Sequence, residues 1–307
     1  MLETNTGCRR PLIHRVLDHL FFFRPLLILP IWAPLLLGYW ASGGRESECG
    51  YPFLLVLGFF LGGWIYGLNQ IYDIEGDRIN RKNLPLALGL MGVNSAWIMT
   101  IASALLALAT GFFISIWTGL FTLVGLFMGY LYSHPRFGYK DKPWPALILN
   151  GAGHGALVYI IGWCSGGRLD WMLLLRMLPY ALAFSGVYIA TAIPDIAGDR
   201  ITKKNTVAVI WGEKKSAIIS LVLIILASVS GVFLWEPALF LTGLVALPFY
   251  IYALSKGGTA FVRANKVAVL FLNLWICFYV FSYFLFLLVV IIGSRFYYSK
   301  RLGVKYP

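Results

Sequence analysis

"DIEGDRINRKN" (residues 73–83) and "DIAGDRITKKN" (residues 195–205) are two forms of one charged phrase. Set in register without a gap, they match at 8 of 11 positions, including both Asp residues, the Gly, the Arg, a Lys and the Asn. The chain around them is of opposite character. Of its 307 residues, 59% are hydrophobic and only 12% are charged, and its mean hydropathy is +0.77, far from the composition of a soluble domain.

The gaps between charges set the architecture. Stretches 25–44, 49–72, 83–135, 143–167, 177–194, 216–235, 237–255 and 267–294 contain no Asp, Glu, Lys or Arg. Each approaches or exceeds the ~20 residues a helix needs to cross ~30 Å of hydrocarbon, and the third is long enough for two crossings. Nine transmembrane helices are therefore expected, in an all-α integral membrane protein read as one domain over residues 1–307. A transmembrane barrel would show period-2 alternation, whereas "LVLIILASV" and "FLFLLVVIIG" are continuous apolar runs. No cleavable signal peptide is expected, because charges run up to the first span and no small-residue cleavage site follows them.

Alternating the spans across the membrane groups 18 of the 25 Lys and Arg on the side of the N-terminus. By the positive-inside rule that side is cytoplasmic. Four basic residues in the tail after Gly293 fall on the other side, where "SRFYYSKRLGVKYP" suits a segment folded back along the headgroups. The net charge of +12 is read as orientation and contact with anionic lipid of the bilayer, with no nucleic-acid partner. Cys8, Cys49, Cys164 and Cys277 form no CxxC pair and no metal spacing. Cys49 and Cys164 fall at span ends on one side, which leaves a disulfide or two ordinary apolar residues.

The two phrases follow the second and sixth spans, so both emerge on the cytoplasmic side and can face one another. Asn69, Asp73 and Asp77 are spaced i, i+4, i+8, which on a helix prolonging the second span lines their side chains along one face. Asp195 and Asp199 repeat the pattern, with Thr191 one turn earlier. Carboxylates held this close repel and require a cation. Oxygen-only ligands suit Mg²⁺, which takes one or two carboxylates and completes its octahedron with water and phosphate oxygens. Arg78, Arg81 and Lys82 after the first copy, and Arg200, Lys203 and Lys204 after the second, suit the phosphate itself. Acids facing mid-bilayer lipid would each cost roughly 2.5–3.5 kcal/mol, so these must line water or a ligand site. Glu75 has Ala197 as its counterpart and points off the shared face.

These residues resemble the UbiA superfamily of membrane-embedded prenyltransferases. "NQIYDIEGD" (69–77) looks like its NDxxDxxxD motif, and "DIAGD" (195–199) looks like its DxxxD motif. "YSHPRFGYK" (132–140) resembles its YSxPPxxxK stretch, and "FRP" (23–25) resembles the Arg-Pro opening of its first span. The resemblance covers residues ~20 to ~212. It implies a nine-helix bundle around a central cavity open sideways to lipid, in which the Asp motifs bind a prenyl diphosphate donor through Mg²⁺. On this reading Asn69, Asp73, Asp77, Asp195 and Asp199 hold metal, and Arg24, Arg78, Lys82, Arg136, Lys140 and Arg200 are the candidates to clamp diphosphate. The leaving diphosphate generates an allylic cation that needs a dry pocket. Aromatic faces stabilise such a cation by roughly 0.5–2 kcal/mol each. Tyr132, inside a recognisable motif, is the candidate, ahead of Tyr72 and Tyr188.

The chain also departs from the pattern. Gln70 replaces the usual Asp, Leu84 stands in place of an Arg-Pro, Ala192 stands where a further Asp often precedes the second motif, and Lys203 replaces a frequent Gly. Gln70 with "LPLALG" (84–89) resembles the homogentisate-type branch, whereas "TAIPD" (191–195) resembles the carotenoid-elongating branch. A lipophilic aromatic acceptor is the first expectation, a polyene or chlorin the second, and lipid prenylation a further alternative. His154, among small residues of the fifth span, is either a proton acceptor or a packing residue. A divalent cation transporter is the competing reading, but the acids sit at one end of two spans and provide no path onward.

Overall fold

The computed structural model describes residues 11–44, 50–80, 82–167, 169–201 and 204–304. Among these there is no strand. The helices are α1 (Leu12–Phe22), α2 (Pro25–Ala41), α3 (Gly50–Tyr72), α4 (Ile74–Ile79), α5 (Val93–Ile114), α6 (Ile116–Ser133) and α7 (Pro143–Ile148). A π-helical segment (Leu149–Leu157) joins α7 to α8 (Val158–Gly166), and α9 (Trp171–Ala192) follows. The remainder are α10 (Ile196–Ile201), α11 (Val207–Trp211), α12 (Glu213–Phe233), α13 (Pro237–Lys256), α14 (Thr259–Ile276) and α15 (Phe281–Leu302).

Counting α7 to α8 as one span, nine helical segments among the described residues are long and apolar enough to cross a membrane. The protein is thus an all-α membrane bundle, as its charge-free stretches imply. In addition, α1 and α2 form a pair bent by 45°. The bend sits at Arg24, whose φ of +54° is unusual for a side-chain-bearing residue, and Pro25 opens α2 with a φ already suited to a helix.

Helix α2 runs through the core. Twelve of its residues are buried, Trp32 and Tyr39 among them, and it packs closely on α8. The approach is backbone to backbone: a Cβ on Gly162 would lie 1.8 Å from the carbonyl oxygen of Leu35. Small residues at such crossings let helices associate in lipid, where no hydrophobic force draws them together. The rest of the bundle pairs α3 with α5, α9 with α12 and the π-segment, and α13 with α12 and α14.

The C-terminal quarter departs from the sequence expectation. The charge-free run 267–294 is the end of α14, a turn over Cys277–Val280 and the start of α15. Tyr283 in the first turn of α15 donates from its hydroxyl to Asn273 Oδ1 of α14 at 2.6 Å. The far end of α15 returns to α1: Arg301 Nη2 and Nε lie 2.9 and 3.1 Å from the buried Asp18 carboxylate, and the Tyr297 hydroxyl donates to Asp18 Oδ1 at 2.9 Å. Phe21 and Tyr297 stack at 3.9 Å. The basic end of α15 therefore lies beside the N-terminal helix, and with the bent pair counted as one span, up to ten segments among the described residues are long and apolar enough to cross a membrane. Cys164 is buried as a free thiol. Cys49, its possible partner, lies outside the described residues, as do Arg81 and Lys203.

Candidate active site

The two copies of the repeated phrase fold alike. Asp77 N–H donates to the Asp73 carbonyl and Asp199 N–H to the Asp195 carbonyl, both at 2.8 Å, and Lys82 N–H and Lys204 N–H donate to the Asp77 and Asp199 carbonyls, both at 2.9 Å. Each copy forms a six-residue helix, α4 or α10, after a long span. The continuous helix expected through Asn69, Asp73 and Asp77 is interrupted at Asp73, which caps α4 with φ −99° and ψ 6°. The 3.0 Å bond from Asp73 N–H to the Asn69 carbonyl bridges the interruption, so the four-residue spacing is kept. In the second copy Pro194 lacks an N–H, and the chain turns through bonds of 3.3 Å from Asp195 and Ile196 to carbonyls three residues back.

Asn69 and Thr191 hold equivalent positions, four residues before Asp73 and Asp195, and both line one cavity of about 300 Å³. Arg24, Tyr132, Asn150, His154 and Tyr188 line it as well. The positions one turn ahead of the two copies thus meet at the same chamber, with Arg24 delivered to it by the left-handed bend before α2. A narrow apolar slot past Met128 and Leu157 continues from the chamber and shares Ile65, Tyr132, Asn150 and His154 with it.

Ion pairs connect the copies through the loop after α6. Lys140 pairs with Asp73, and its sequence neighbour Asp141 pairs with Lys204 at 3.6 Å. Lys82 pairs with the buried Asp77 at 2.7 Å. Asn69 Nδ2 donates to Asp73 Oδ2 at 3.2 Å, and Thr206 Oγ1 donates to Asp199 Oδ2 at 3.1 Å. Tyr132 lies within electrostatic reach of Asp73, Asp141 and Asp199. Partial burial and then the charge of Asp199 push the Asp195 carboxyl above its ordinary range, against the pull of Lys82 and Lys204. Lys82 of the first copy is therefore close enough to act on the second.

Three of the expected clamp residues lie elsewhere. Arg78 points to the loop before α5, with Nε 3.4 Å from the Ala87 carbonyl and Nη1 3.6 Å from Glu75. Arg136 and Arg200 are exposed, and no contact joins their side chains to the carboxylates among the described residues. Helix geometry explains Arg78 and Arg200, since a residue directly after an inward Asp projects about 100° away from it, whereas Arg136 lies in the turn after α6. Asp141, Thr206, Asn150 and Tyr66, whose hydroxyl donates to the Leu27 carbonyl at 2.7 Å, went unread in the sequence. Only Asp141 carried a signal, as an acid next to Lys140.

Among the described residues no three acidic or imidazole groups converge on a single point. The donor set is nevertheless hard oxygen, and the repulsion felt by Asp195 calls for a cation. Such residues fit Mg²⁺ whose coordination is completed by diphosphate and water rather than by a closed protein cage.

The family model for the UbiA prenyltransferase family matches residues 31–275. The chain belongs to the UbiA prenyltransferase family. It is 31% identical over 183 residues to a probable chloroplastic homogentisate phytyltransferase 2 of Oryza sativa subsp. japonica, covering 55% of this chain and 47% of that one. It is 30% identical over 205 residues to a digeranylgeranylglyceryl phosphate synthase of Sulfolobus acidocaldarius, covering 64% and 70%. The chain spans half or less of the length of the plant relatives it matches. The structure of a UbiA homolog from Archaeoglobus fulgidus bound to GPP and Mg²⁺ superposes with a TM-score of 0.67 at 19% identity, over 83% of this chain and 96% of that one. The family match ends inside α14 and leaves α15 outside it.

Proposed function

We propose that this chain transfers an isoprenyl group from a prenyl diphosphate to a lipophilic, aromatic acceptor within the membrane, with Mg²⁺-assisted release of diphosphate. The observation that carries this reading is the meeting of Asn69 and Thr191, equivalent members of the two repeats, at one cavity. A diphosphate placed between the copies is reached from both. Mg²⁺ held by Asp73, Asp77, Asp195 and Asp199 supplies neutralisation of the charge that develops on the leaving diphosphate.

The chain's own residues do the rest. Lys140 and Lys82, paired with Asp73 and Asp77, stand beside the carboxylates that would hold the metal and supply cationic charge for the diphosphate oxygens. Arg24, fixed by the bend, adds a charge from the opposite wall. Tyr132 and Tyr188 present aromatic faces to the allylic cation, and the apolar slot past Met128 receives the hydrocarbon tail and keeps water from the reacting carbon. The cavity walls beyond the Asp motifs, Leu27, Pro30, Ile65, Phe184 and Val187, are apolar. An acceptor bearing its own phosphate would need buried cations that this wall lacks.

Orientation follows from charge: with the end of α15 beside α1, the basic tail joins the basic N-terminal side, and that side, which carries the Asp motifs, is cytoplasmic. The test is incubation of purified protein with labelled geranylgeranyl diphosphate, Mg²⁺ and separate acceptors: homogentisate, hydroxybenzoate, lycopene, chlorophyllide and geranylgeranylglyceryl phosphate. A prenylated aromatic product identified by mass is expected. Transfer to geranylgeranylglyceryl phosphate alone contradicts the aromatic reading.

A further inference from the structure

The second half of the cavity is built by an unusual piece of backbone. Residues Leu149–Leu157, "LNGAGHGAL", wind as a π-helix inside the span Pro143–Gly166. Such segments are rare and frequent at functional sites. Two glycines fix which face the segment presents. A Cβ on Gly155 would lie 2.4 Å from the Tyr180 carbonyl oxygen, and one on Gly151 would lie 2.2 Å from Ser185 Oγ. These residues press the segment against α9. Asn150 and His154 then line the cavity, together with Arg24, Asn69 and Tyr132.

His154 differs from the other histidines whose contacts define them. His19 Nδ1 bonds the Arg15 carbonyl, and His134 Nδ1 accepts from Arg136 N–H. His154, half-buried on the chamber wall, makes no hydrogen bond to any described residue. Its ring thus faces the chamber with both nitrogens open to a ligand. Asn150, by contrast, is anchored by a 2.8 Å bond from Nδ2 to the Ala146 carbonyl. His154 stands where the apolar slot meets the chamber lined by Arg24, Asn69 and Asn150, so what reaches it must be apolar with a polar edge.

We propose that His154 takes the proton of a ring hydroxyl, and that the acceptor is therefore a phenol rather than a polyene; this rests on the prenyl-transfer reading above. As the donor's C–O bond breaks, its electron pair leaves with diphosphate. The phenol's π electrons form the new C–C bond to the allylic carbon while its O–H proton passes to His154. The resulting dienone regains aromaticity by losing its ring proton to the released diphosphate and recovering the oxygen-bound proton from His154. Net, one ring proton is exchanged for one prenyl group. A polyene would leave the imidazole unpaired.

The test compares the full-length protein with His154→Ala and His154→Gln in proteoliposomes, using geranylgeranyl diphosphate with homogentisate, its ring O-methyl ethers or lycopene. Wild-type protein is expected to prenylate homogentisate and not the ethers. His154→Gln keeps hydrogen bonding without proton transfer, and is expected to retain the acceptor KM while kcat falls by roughly 10²-fold or more, the usual size of general-base catalysis. His154→Ala is expected to lose both, with added imidazole restoring part of kcat and the Kd for an inert thiolodiphosphate donor unchanged. If both variants match wild type on homogentisate, or if the ethers react as well as the phenol, the assignment of His154 is overturned while prenyl transfer stands. Wild-type transfer to lycopene alone overturns it likewise. No transfer to any acceptor overturns the reaction itself.

Discussion

The bundle places carboxylates at both ends, in opposite states. At one end two Asp pairs follow the positions that line the chamber, with Asp73 and Asp77 paired to Lys140 and Lys82. At the other end Glu236 follows α12 and is 3% exposed. It is fully engaged: the Tyr159 hydroxyl donates to Oε1 at 2.6 Å, the Tyr180 hydroxyl to Oε2 at 2.9 Å, and Arg176 Nη1 lies 3.8 Å from Oε1. The two tyrosine rings stack at 4.3 Å, and Arg176 sits over the Trp163 ring. Trp235, at φ +56°, makes the turn that sends Glu236 inward. A carboxylate held by hydrogen bonds on both oxygens rigidifies a fold. A cluster of like charges that needs a cation from outside is built to receive a ligand.

This contrast can be broken in four ways. The largest effect is expected at the Asp end. Asp73→Asn, Asp77→Asn, Asp195→Asn and Asp199→Asn should each lower prenyl-transfer kcat by roughly 10²–10³-fold, the cost of a lost charge-stabilising group, while thermal melting shows the fold intact. Full turnover in any two of the four would remove the cluster from the reaction. Next is Lys140→Ala, which should raise the donor KM by about tenfold, near 1.4 kcal/mol, with a smaller change in kcat; an unchanged KM would mean that Lys140 only guards Asp73.

Glu236 should behave in the reverse sense. Burial pushes its carboxyl up to about 7, although both tyrosines and Arg176 pull it down. A carboxyl raised in the fold favours its protonated form there, so its contribution to stability is full below the unfolded value. That contribution is lost as pH rises toward about 7. Glu236→Gln should therefore leave kcat unchanged and abolish a fall in Tm that the wild type shows across this window. Equal pH slopes for the two proteins would contradict the account. The smallest effect is expected for Lys204→Ala: its pair with Asp141, at 3.6 Å and more than a third exposed on both sides, is of a kind that contributes about 0–1 kcal/mol. A loss of activity as large as that of Asp199→Asn would show that the bridge between the copies is essential.

Much of this was legible in the chain. Charge-free runs mark lipid-crossing helices because hydrocarbon excludes charge, and the duplicated Asp spacing marks a site because like charges in register need a cation. What sequence spacing could not carry was contact across distance. Glu236 stands 77 and 56 residues from the tyrosines that enclose it. The turn before α15 contains neither Gly nor Pro, so an uncharged run hid two helices. Arg78, Arg136 and Arg200 looked equivalent to Lys82 and Lys140 by type, but side-chain direction on a short helix or turn, not charge, decides which ones meet the Asp carboxylates. His154 was visible as a residue, yet its lack of a partner is a property only the folded chain displays.

The central claim is that the two copies bind one metal–diphosphate unit together, and binding measures it without chemistry. The Kd of geranylgeranyl thiolodiphosphate, an inert donor, should be measured by calorimetry with and without Mg²⁺ for wild type, Asp73→Asn, Asp195→Asn and the double variant. The account predicts Mg²⁺-dependent binding that either single change weakens severely, with the double variant little worse than the singles because both copies act as a unit. Binding indifferent to Mg²⁺, or weakened by changes in one copy while the other is silent, would contradict it.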